Sequence, residues 1–312
     1  MTSASSPVHE GPDISVVIPC RGHAHLLGRC LEALARQEIS APYEVVVVDS
    51  AMDPEVAAAV GDFPAVRLIR SESALGPGRA RNLGSAHAGG WLLAFTDADC
   101  EPAPGWLRAA RGAVESGGRL VGGPVLDAQP RRPVAVADNL LQFAEFRSGR
   151  PGGHATHFPA CNLALRRTDF ETLGRFPEER LGEDIMLCQR MLERRPEGLV
   201  FVPKMAVRHL GRTGFPEMLR HHHSLGLWRG RLRLRIGRLQ ERLGVFRIMI
   251  PPFALWRFLY ICRRTSSWDP RGLPRLALLS PMLVAGLIAW AIGFRKGILA
   301  GKAAEMTAAP DG

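Results

Sequence analysis

Residues 91–99 read WLLAFTDAD, and this stretch decides the fold. Residues 91–95 are apolar without alternation, too few for a helix, and lead into Thr96-Asp97-Ala98-Asp99. Such a run marks a strand buried on both faces, as in the interior of a parallel sheet. Outward toward the N-terminus the pattern recurs in EVVVVD at 44–49 and ISVVIP at 14–19, with a weaker candidate at 66–69. Helical stretches separate these runs. Leu26, Leu27, Cys30, Leu31 and Leu34 repeat at helical spacing, and Asp53-Pro54 opens a short helix with Asp as N-cap and Pro in first position. Residues 76–88 begin glycine-rich and continue as a helix. Strands alternating with helices predict an α/β fold, a doubly wound, mainly parallel sheet with flanking helices. Ligands of such sheets gather at the carboxyl ends of strands, which is where Asp49, Asp97 and Asp99 fall.

Downstream, 120–126 reads as a strand, 138–147 as a helix, 183–194 as a helix, and 199–202 and 206–209 as short strands. Residues 228–236 alternate Arg with apolar side chains, which is strand-like, whereas LQERLGVFRIMI after them is helix-like. Residues 245–262 are apolar but interrupted by Arg247, Pro251, Pro252 and Arg257, the pattern of an interfacial or re-entrant element. Residues 276–294 carry no charge between Arg275 and Arg295-Lys296, and a bilayer core needs about 20 apolar residues, so a membrane helix is expected there. Basic residues on both sides leave its orientation open. The expected organisation is a short mobile tail over 1–12, an α/β domain over 13–215, a basic linker or amphipathic segment over 216–242, and a hydrophobic membrane-associating tail over 243–312.

The 312 residues carry a formal charge of +10, with 46% hydrophobic and 22% charged residues, a globular rather than disordered composition. Between Arg208 and Arg242 stand nine Arg against Glu217 and Glu241, so this stretch prefers an anionic neighbour, whether lipid head groups, nucleic acid or a phosphorylated substrate, unless it is simply a solvated face. The six cysteines form no C-x-x-C pair, which argues against a disulfide framework or zinc motif and fits a reducing compartment. MTSASSPVHEGPD has neither a basic n-region nor an apolar core and does not read as a signal peptide.

Four elements carry candidate chemistry. The Asp97 and Asp99 carboxylates, one residue apart, are hard oxygen ligands suited to Mg2+ or Mn2+. Asp49 is placed to accept hydrogen bonds from a ribose or a base. The segment GPGRARNLG at 76–84 lets backbone approach a nucleotide and offers Arg to phosphate, although it is neither a P-loop nor G-x-G-x-x-G. Glu183 and Asp184 open a helix, where its dipole favours them; the chemical reading is a general base. Each alone is as well explained by a turn or a cap.

Taken in order, ISVVIPCRG, EVVVVDSAMD, GPGRARNLG, FTDADCEP, GEDIMLCQR and VRHLG resemble the family 2 glycosyltransferases of GT-A fold, over about residues 13–215. The resemblance implies a nucleotide-diphosphate sugar donor, a divalent cation (Mg2+ or Mn2+) and inversion in one displacement. It assigns Pro19, Arg21, Asp49, Arg81, Asn82 and Asp97 to the donor, and Asp99 and His209 to the metal. Asp184 becomes the catalytic base with Glu183 beside it, and Asn162 and Arg190 fall in the acceptor region. Ser50 stands where the family often has a second acidic or amide residue, and the processive Q-x-x-R-W signature is missing near Arg220, so single-sugar transfer is expected. His221, His222 and His223 read as a basic patch, since three consecutive residues on a helix cannot face one ion. The acceptor is expected to be a glycan or lipid-linked, with the catalytic domain on the cytoplasmic side of the cell membrane. The alternatives are a polyprenyl-phosphate sugar synthase and, in another class, a nucleic-acid- or lipid-binding protein with a degenerate transferase fold. A nucleic-acid partner is not expected, because it leaves the ordered acidic motifs unexplained.

Overall fold

The computed structural model describes residues 11–22, 24–178, 182–235 and 243–308, with backbone alone for 233–235, 243–253 and 301–308. Most of the expected tail over 1–12 and the end of the expected linker over 216–242 lie outside the described residues. In chain order the elements are β1 (Ile14–Cys20), α1 (Ala24–Ala35), β2 (Tyr43–Asp49), α2 (Pro54–Gly61), β3 (Val66–Arg70), α3 (Pro77–His87), β4 (Leu92–Thr96), β5 (Cys100–Pro102), α4 (Trp106–Glu115), β6 (Leu120–Gly122), β7 (Val125–Asp127), α5 (Pro133–Phe143), β8 (Gly153–His154), β9 (Asn162–Arg166), α6 (Arg167–Thr172), α7 (Glu183–Arg194), β10 (Leu199–Phe201), β11 (Val207–His209), α8 (Phe215–Arg235), α9 (Leu243–Trp268) and α10 (Leu273–Ala308). They form two compact units: Met1–Gly123 with Gly152–Glu179 and Asp184–Val207, and Pro124–Pro151 with Arg180–Glu183 and Arg208–Gly312. The second unit thus takes Pro124–Pro151 from inside the span that the sequence assigns to one domain.

The first unit holds an eight-stranded sheet in the order β3-β2-β1-β4-β9-β6-β10-β8. β3, β2, β1 and β4 run parallel; the apolar runs of β1, β2 and β4 suit the interior, with Val16, Val17, Val46, Val47 and Phe95 fully buried, while β3 (VRLIR) forms the edge. Asp53 caps α2 as expected, accepting from the Glu55 N–H at 2.9 Å. A Cβ at Gly84 would stand 2.5 Å from Val17 Cγ1 and 3.0 Å from Val48 Cγ2, so this glycine seats α3 directly on β1 and β2. β9 enters antiparallel between β4 and β6, a strand that the sequence reading did not find. The run 120–126 is two strands, β6 and β7, split by Gly123, where any Cβ would meet the Met205 carbonyl.

In the second unit α5, α8, α9 and α10 enclose a core of Val136, Leu140, Leu141, Met218, Ile261, Leu279, Leu283 and Leu287. Pro133, in a first-turn position, starts α5, which therefore runs over Pro133–Phe143 rather than 138–147. The strand-like stretch 228–236 is helical through Arg235. Its spacing of consequence is four: Gly226 abuts the Trp290 carbonyl and Gly230 the Phe294 carbonyl, while Gly293 and Gly297 on α10 abut the His223 and Leu227 carbonyls. Two G-x-x-x-G faces thus cross in parallel with backbone against backbone, the close packing that small residues permit. α9 is one continuous helix rather than a re-entrant element, because Ala254, Phe258, Ile261 and Cys262 recur at helical spacing against the core. The span expected over 276–294 lies inside α10, which is long and apolar enough to cross a membrane. One of its faces is nevertheless covered by protein, through Leu276, Leu279, Leu283, Leu287, Trp290 and Phe294.

Candidate active site

The parallel order β3-β2-β1-β4 puts the ends of three strands side by side. Cys20 pairs in register with Asp49, and Val17 with Phe95, so Asp97 emerges beside the end of β1. The carboxylates that gather there also act on two nearby thiols. The Cys20 thiol is pushed up to about 12, first by burial and then by the negative charges of Asp49, Asp53 and Asp99. The wholly buried Cys30 thiol is raised by burial and by Asp99 and Asp97. Burial and the neighbouring carboxylates both favour the neutral thiol.

Asp49 is fully buried. Its Oδ1 accepts from the Ala51 N–H at 3.0 Å and its Oδ2 faces Arg70 Nε at 3.4 Å. Arg70, at the end of β3, was missed by the sequence reading; its position beside Asp49 in register is the signal that would have found it. Pro19 is half-buried at the end of β1, and Arg21 is exposed just beyond it.

On α3 the buried Arg81 donates through Nη2 to Asp97 Oδ1 at 2.5 Å and lies over the Phe176 ring, 5.6 Å from its centroid. Arg81 therefore balances the charge of Asp97. Asp99, half-buried beyond the turn closed by Cys100 N–H to the Asp97 carbonyl, receives a weak contact from the Cys100 thiol. Asn82 clasps the Phe176 backbone, donating to its carbonyl at 2.8 Å and accepting from its N–H at 3.1 Å.

Asp184 sits at the start of α7, half-buried, with Oδ1 accepting from the Ile185 N–H at 2.8 Å. It lies a turn from Cys188, whose thiol is pushed up to about 12 by burial first, with the Asp184 charge adding to it. Gly182, immediately before Glu183, takes a positive φ of 75°, which glycine adopts without strain. Two residues expected in the acceptor region make contacts within the framework. Asn162 is fully buried, accepting from Trp106 Nε1 at 2.8 Å and donating to the Met205 carbonyl at 2.9 Å. Arg190 Nη1 reaches the carbonyls of Leu173 and Arg175, both at 3.1 Å, closing the chain that leaves α6.

His209 belongs to the second unit, buried at the end of β11. Its Nδ1 stands 2.7 Å from Asn139 Oδ1, and the Phe143 ring meets it edge-on at 5.1 Å between centroids. Of the three consecutive histidines, His222 Nε2 bonds the buried Asp138 at 2.9 Å and His221 Nε2 bonds Gln142 at 3.2 Å, so these two side chains are occupied separately.

The donor set fits a hard divalent ion. Asp97 and Asp99 offer oxygen only, and Arg81 shares Asp97 Oδ1. Among the described residues no group of three or more His, Cys, Asp or Glu side chains is set to hold an ion by itself. An ion held here would therefore complete its shell from substrate oxygens, as Mg2+ commonly does with phosphates.

Comparisons with known proteins agree with this geometry. The sequence model of glycosyl transferase family 2 matches residues 15–174. Glycosyltransferase AglE of Haloferax volcanii is 27% identical over 69% of this chain and 72% of its own length. The pre-mycofactocin glycosyltransferase of Mycobacterium tuberculosis is 29% identical over 67% of this chain and 44% of its own. The mannosyltransferase PcManGT from Pyrobaculum calidifontis, solved with GDP-Man and Mn2+, shares the fold at a TM-score of 0.58 and 21% identity, over 94% of this chain and 89% of that one. The mainly parallel sheet, the acidic cluster at its strand ends and a family match over half the sequence lead to one conclusion: the chain belongs to glycosyl transferase family 2 and is a glycosyltransferase of GT-A fold.

Proposed function

We propose that this glycosyltransferase moves one sugar, with inversion, from a nucleoside-diphosphate donor to an acceptor hydroxyl at a membrane surface. The observation that carries the reading is the convergence of Asp49, Asp97 and Asp99 at the ends of adjacent strands, set by the register of β2 and β4 on β1. In this reading Pro19, Arg21 and the Asp49–Arg70 pair receive the nucleoside, and Arg81 orients Asp97 toward the ribose. Asp99 would hold a divalent ion, which when bound supplies positive charge to the departing diphosphate, and His209 of the second unit is likewise read as a metal ligand. Asp184, at the start of its helix, takes the proton of the attacking hydroxyl, with Glu183 beside it. That two solved proteins of the same fold hold GDP-Man with Mn2+ and UDP supports the donor class.

The second unit supports the membrane part. Leu278, Val284, Ile288, Ile292 and Leu299 are exposed along one side of α10, and Leu255, Trp256 and Leu259 along α9. Because the opposite side of α10 is protein-covered, this reading has the helices lie on the bilayer with their apolar side immersed. Such a seat favours a lipid-linked acceptor, and transfer to a polyprenyl phosphate is the competing product.

Purified protein with Mn2+ is tested against UDP-, GDP- and dTDP-sugars, with and without lipid extract, scoring released nucleotide and labelled lipid. Metal-dependent release from one donor class is expected, with EDTA abolishing it. Release from none of them, or equal release in EDTA, refutes the reading.

A further inference from the structure

His209 stands in a hydrogen-bond chain whose chemistry fixes where its proton lies. Asn139 is 1% exposed. Its side-chain nitrogen faces two groups that only accept, Asp127 Oδ1 at 3.0 Å and the His209 carbonyl at 3.3 Å. Turning the amide over would set its oxygen against a carboxylate and a carbonyl, so the orientation is determined by charge. Both N–H bonds of the amide are then spent, and Asn139 Oδ1 is left to accept. The His209 Nδ1 at 2.7 Å from that oxygen must be the donor. The neutral ring is therefore the Nδ1–H tautomer, with its lone pair on Nε2.

The arrangement is supported from both ends. Arg147 Nη2 stands 3.7 Å from Asp127 Oδ2 and 2.8 Å from Asp269 Oδ2, which holds the Asp127 carboxylate toward the amide. Ala128 N–H donates to the His209 carbonyl at 3.1 Å, fixing the strand against β7. Gly211 completes the seat. A Cβ there would lie 2.7 Å from the Ala135 carbonyl and 3.2 Å from Asn139 Oδ1, so a side chain would displace the amide.

We propose that Asn139, oriented by Asp127, is a positioning residue that holds His209 in the Nδ1–H tautomer so that Nε2 presents its lone pair to a divalent cation. The inference rests on the reading of His209 as a metal ligand. Outer partners of this kind orient a ligand ring and raise its basicity, and losing one typically costs about 10–100-fold in metal affinity.

The full chain, 15N-labelled at histidine, is examined by long-range 1H–15N correlation without metal above pH 8, with His209 assigned from His209→Gln. The Nδ1–H pattern is expected for wild type and a mixture of tautomers for Asn139→Leu. The exchanged pair Asp127→Asn with Asn139→Asp keeps an acceptor facing Nδ1 and a donor facing it from behind, and should restore the wild-type pattern. Mn2+ added with UDP or GDP should broaden the wild-type His209 signals, at roughly 10–100-fold lower concentration than Asn139→Leu requires. An Nε2–H pattern in the metal-free wild type overturns the inference whatever the metal does. An Nδ1–H pattern with no Mn2+ broadening instead overturns the metal role of His209 on which it rests.

Discussion

Replacing Gly226 by Ala puts the helix crossing of the second unit to a test whose sign is opposite to that of the helix alone. In a solvent-facing helix interior, Gly to Ala stabilises by about 0.8–1 kcal/mol. At Gly226 the new methyl would stand 2.0 Å from the Trp290 carbonyl oxygen and 2.9 Å from the Phe294 nitrogen, where ordinary contact begins at 3.4 Å. Those atoms are helix backbone and cannot rotate aside without giving up an α10 hydrogen bond. The helices must separate by 3.4 − 2.0 = 1.4 Å at this point, which also loosens Trp290, Phe294 and Ile298. Overpacking of this kind costs about 1–3 kcal/mol, so the propensity gain is cancelled and the net loss is about 0–2 kcal/mol. Gly293→Ala meets the same crossing from the other side, and the double variant should lose less than the sum, because separation relieves both. Urea denaturation of the full chain in detergent, followed by tryptophan fluorescence, reads the change; Trp228, Trp256, Trp268 and Trp290 all lie in this unit. Gly112→Ala in α4, where a Cβ meets nothing within 4 Å, supplies the matched control and should gain stability. If Gly226→Ala stabilises as Gly112→Ala does, the crossing is not close and the packing argument is wrong.

Four further outcomes are expected. Asp99→Ala should weaken Mn2+-dependent donor binding in calorimetry while metal-free nucleotide binding changes little; an unchanged Mn2+ dependence removes Asp99 from the metal. Asp184→Asn should cut turnover about 100-fold or more with donor affinity retained, since general-base catalysis supplies about 10²–10⁴-fold; wild-type turnover in that variant excludes it as the base. Burial pushes His221 down to about 3 from its usual 6.5, so its neutral form stabilises the fold above pH 6.5 and the contribution drains away between 6.5 and 3, at up to about 1.4 kcal/mol per pH unit. A pH series of urea midpoints that stays flat over that window, or does not flatten in His221→Gln, contradicts the burial. Leu278→Glu with Ile288→Glu should release the protein from liposomes in flotation without changing its urea midpoint, because both side chains are exposed; retention on the liposomes refutes the proposed membrane side.

The parallel half of the sheet was legible because its residues face apolar surroundings on both sides, and such strands advertise themselves as unbroken runs. β9 was not, because NLALR begins with Asn162 and ends with Arg166, and its place between β4 and β6 is set by partners distant in sequence. The alternation at 228–236 left that stretch ambiguous for a related reason. Period two in Arg and Leu is a pattern of solvent and core only if the backbone is extended, and Gly226 and Gly230 impose a helix period that hydropathy does not score. Read as small residues four apart, GLWRG and GFRKG would have announced the crossing from sequence.

At the site, residue types were legible and their partners were not. Asp49, Asp97, Asp99 and Asp184 stand where strand and helix ends place them, and a motif in sequence order suffices to find them. What a motif omits is how each charge is balanced. Asp49 has Arg70, Asp97 has Arg81, and His209 has Asn139 and Asp127, the last reached across 70 and 12 residues of chain in turn. The buried Asp138 makes the same point outside the acidic cluster. Burial alone would raise its carboxyl, but the hydrogen bond from His222 and the charge of Arg212 outweigh burial and hold it below the usual carboxylate range. Two of the motif residues, Asn82 and Asn162, spend their amides on backbone and core partners, so a side chain in a family motif need not touch a substrate to be required. In the proposed reading the division follows charge: the carboxylates are assigned to chemistry, and the amides hold the loops and strands that carry them.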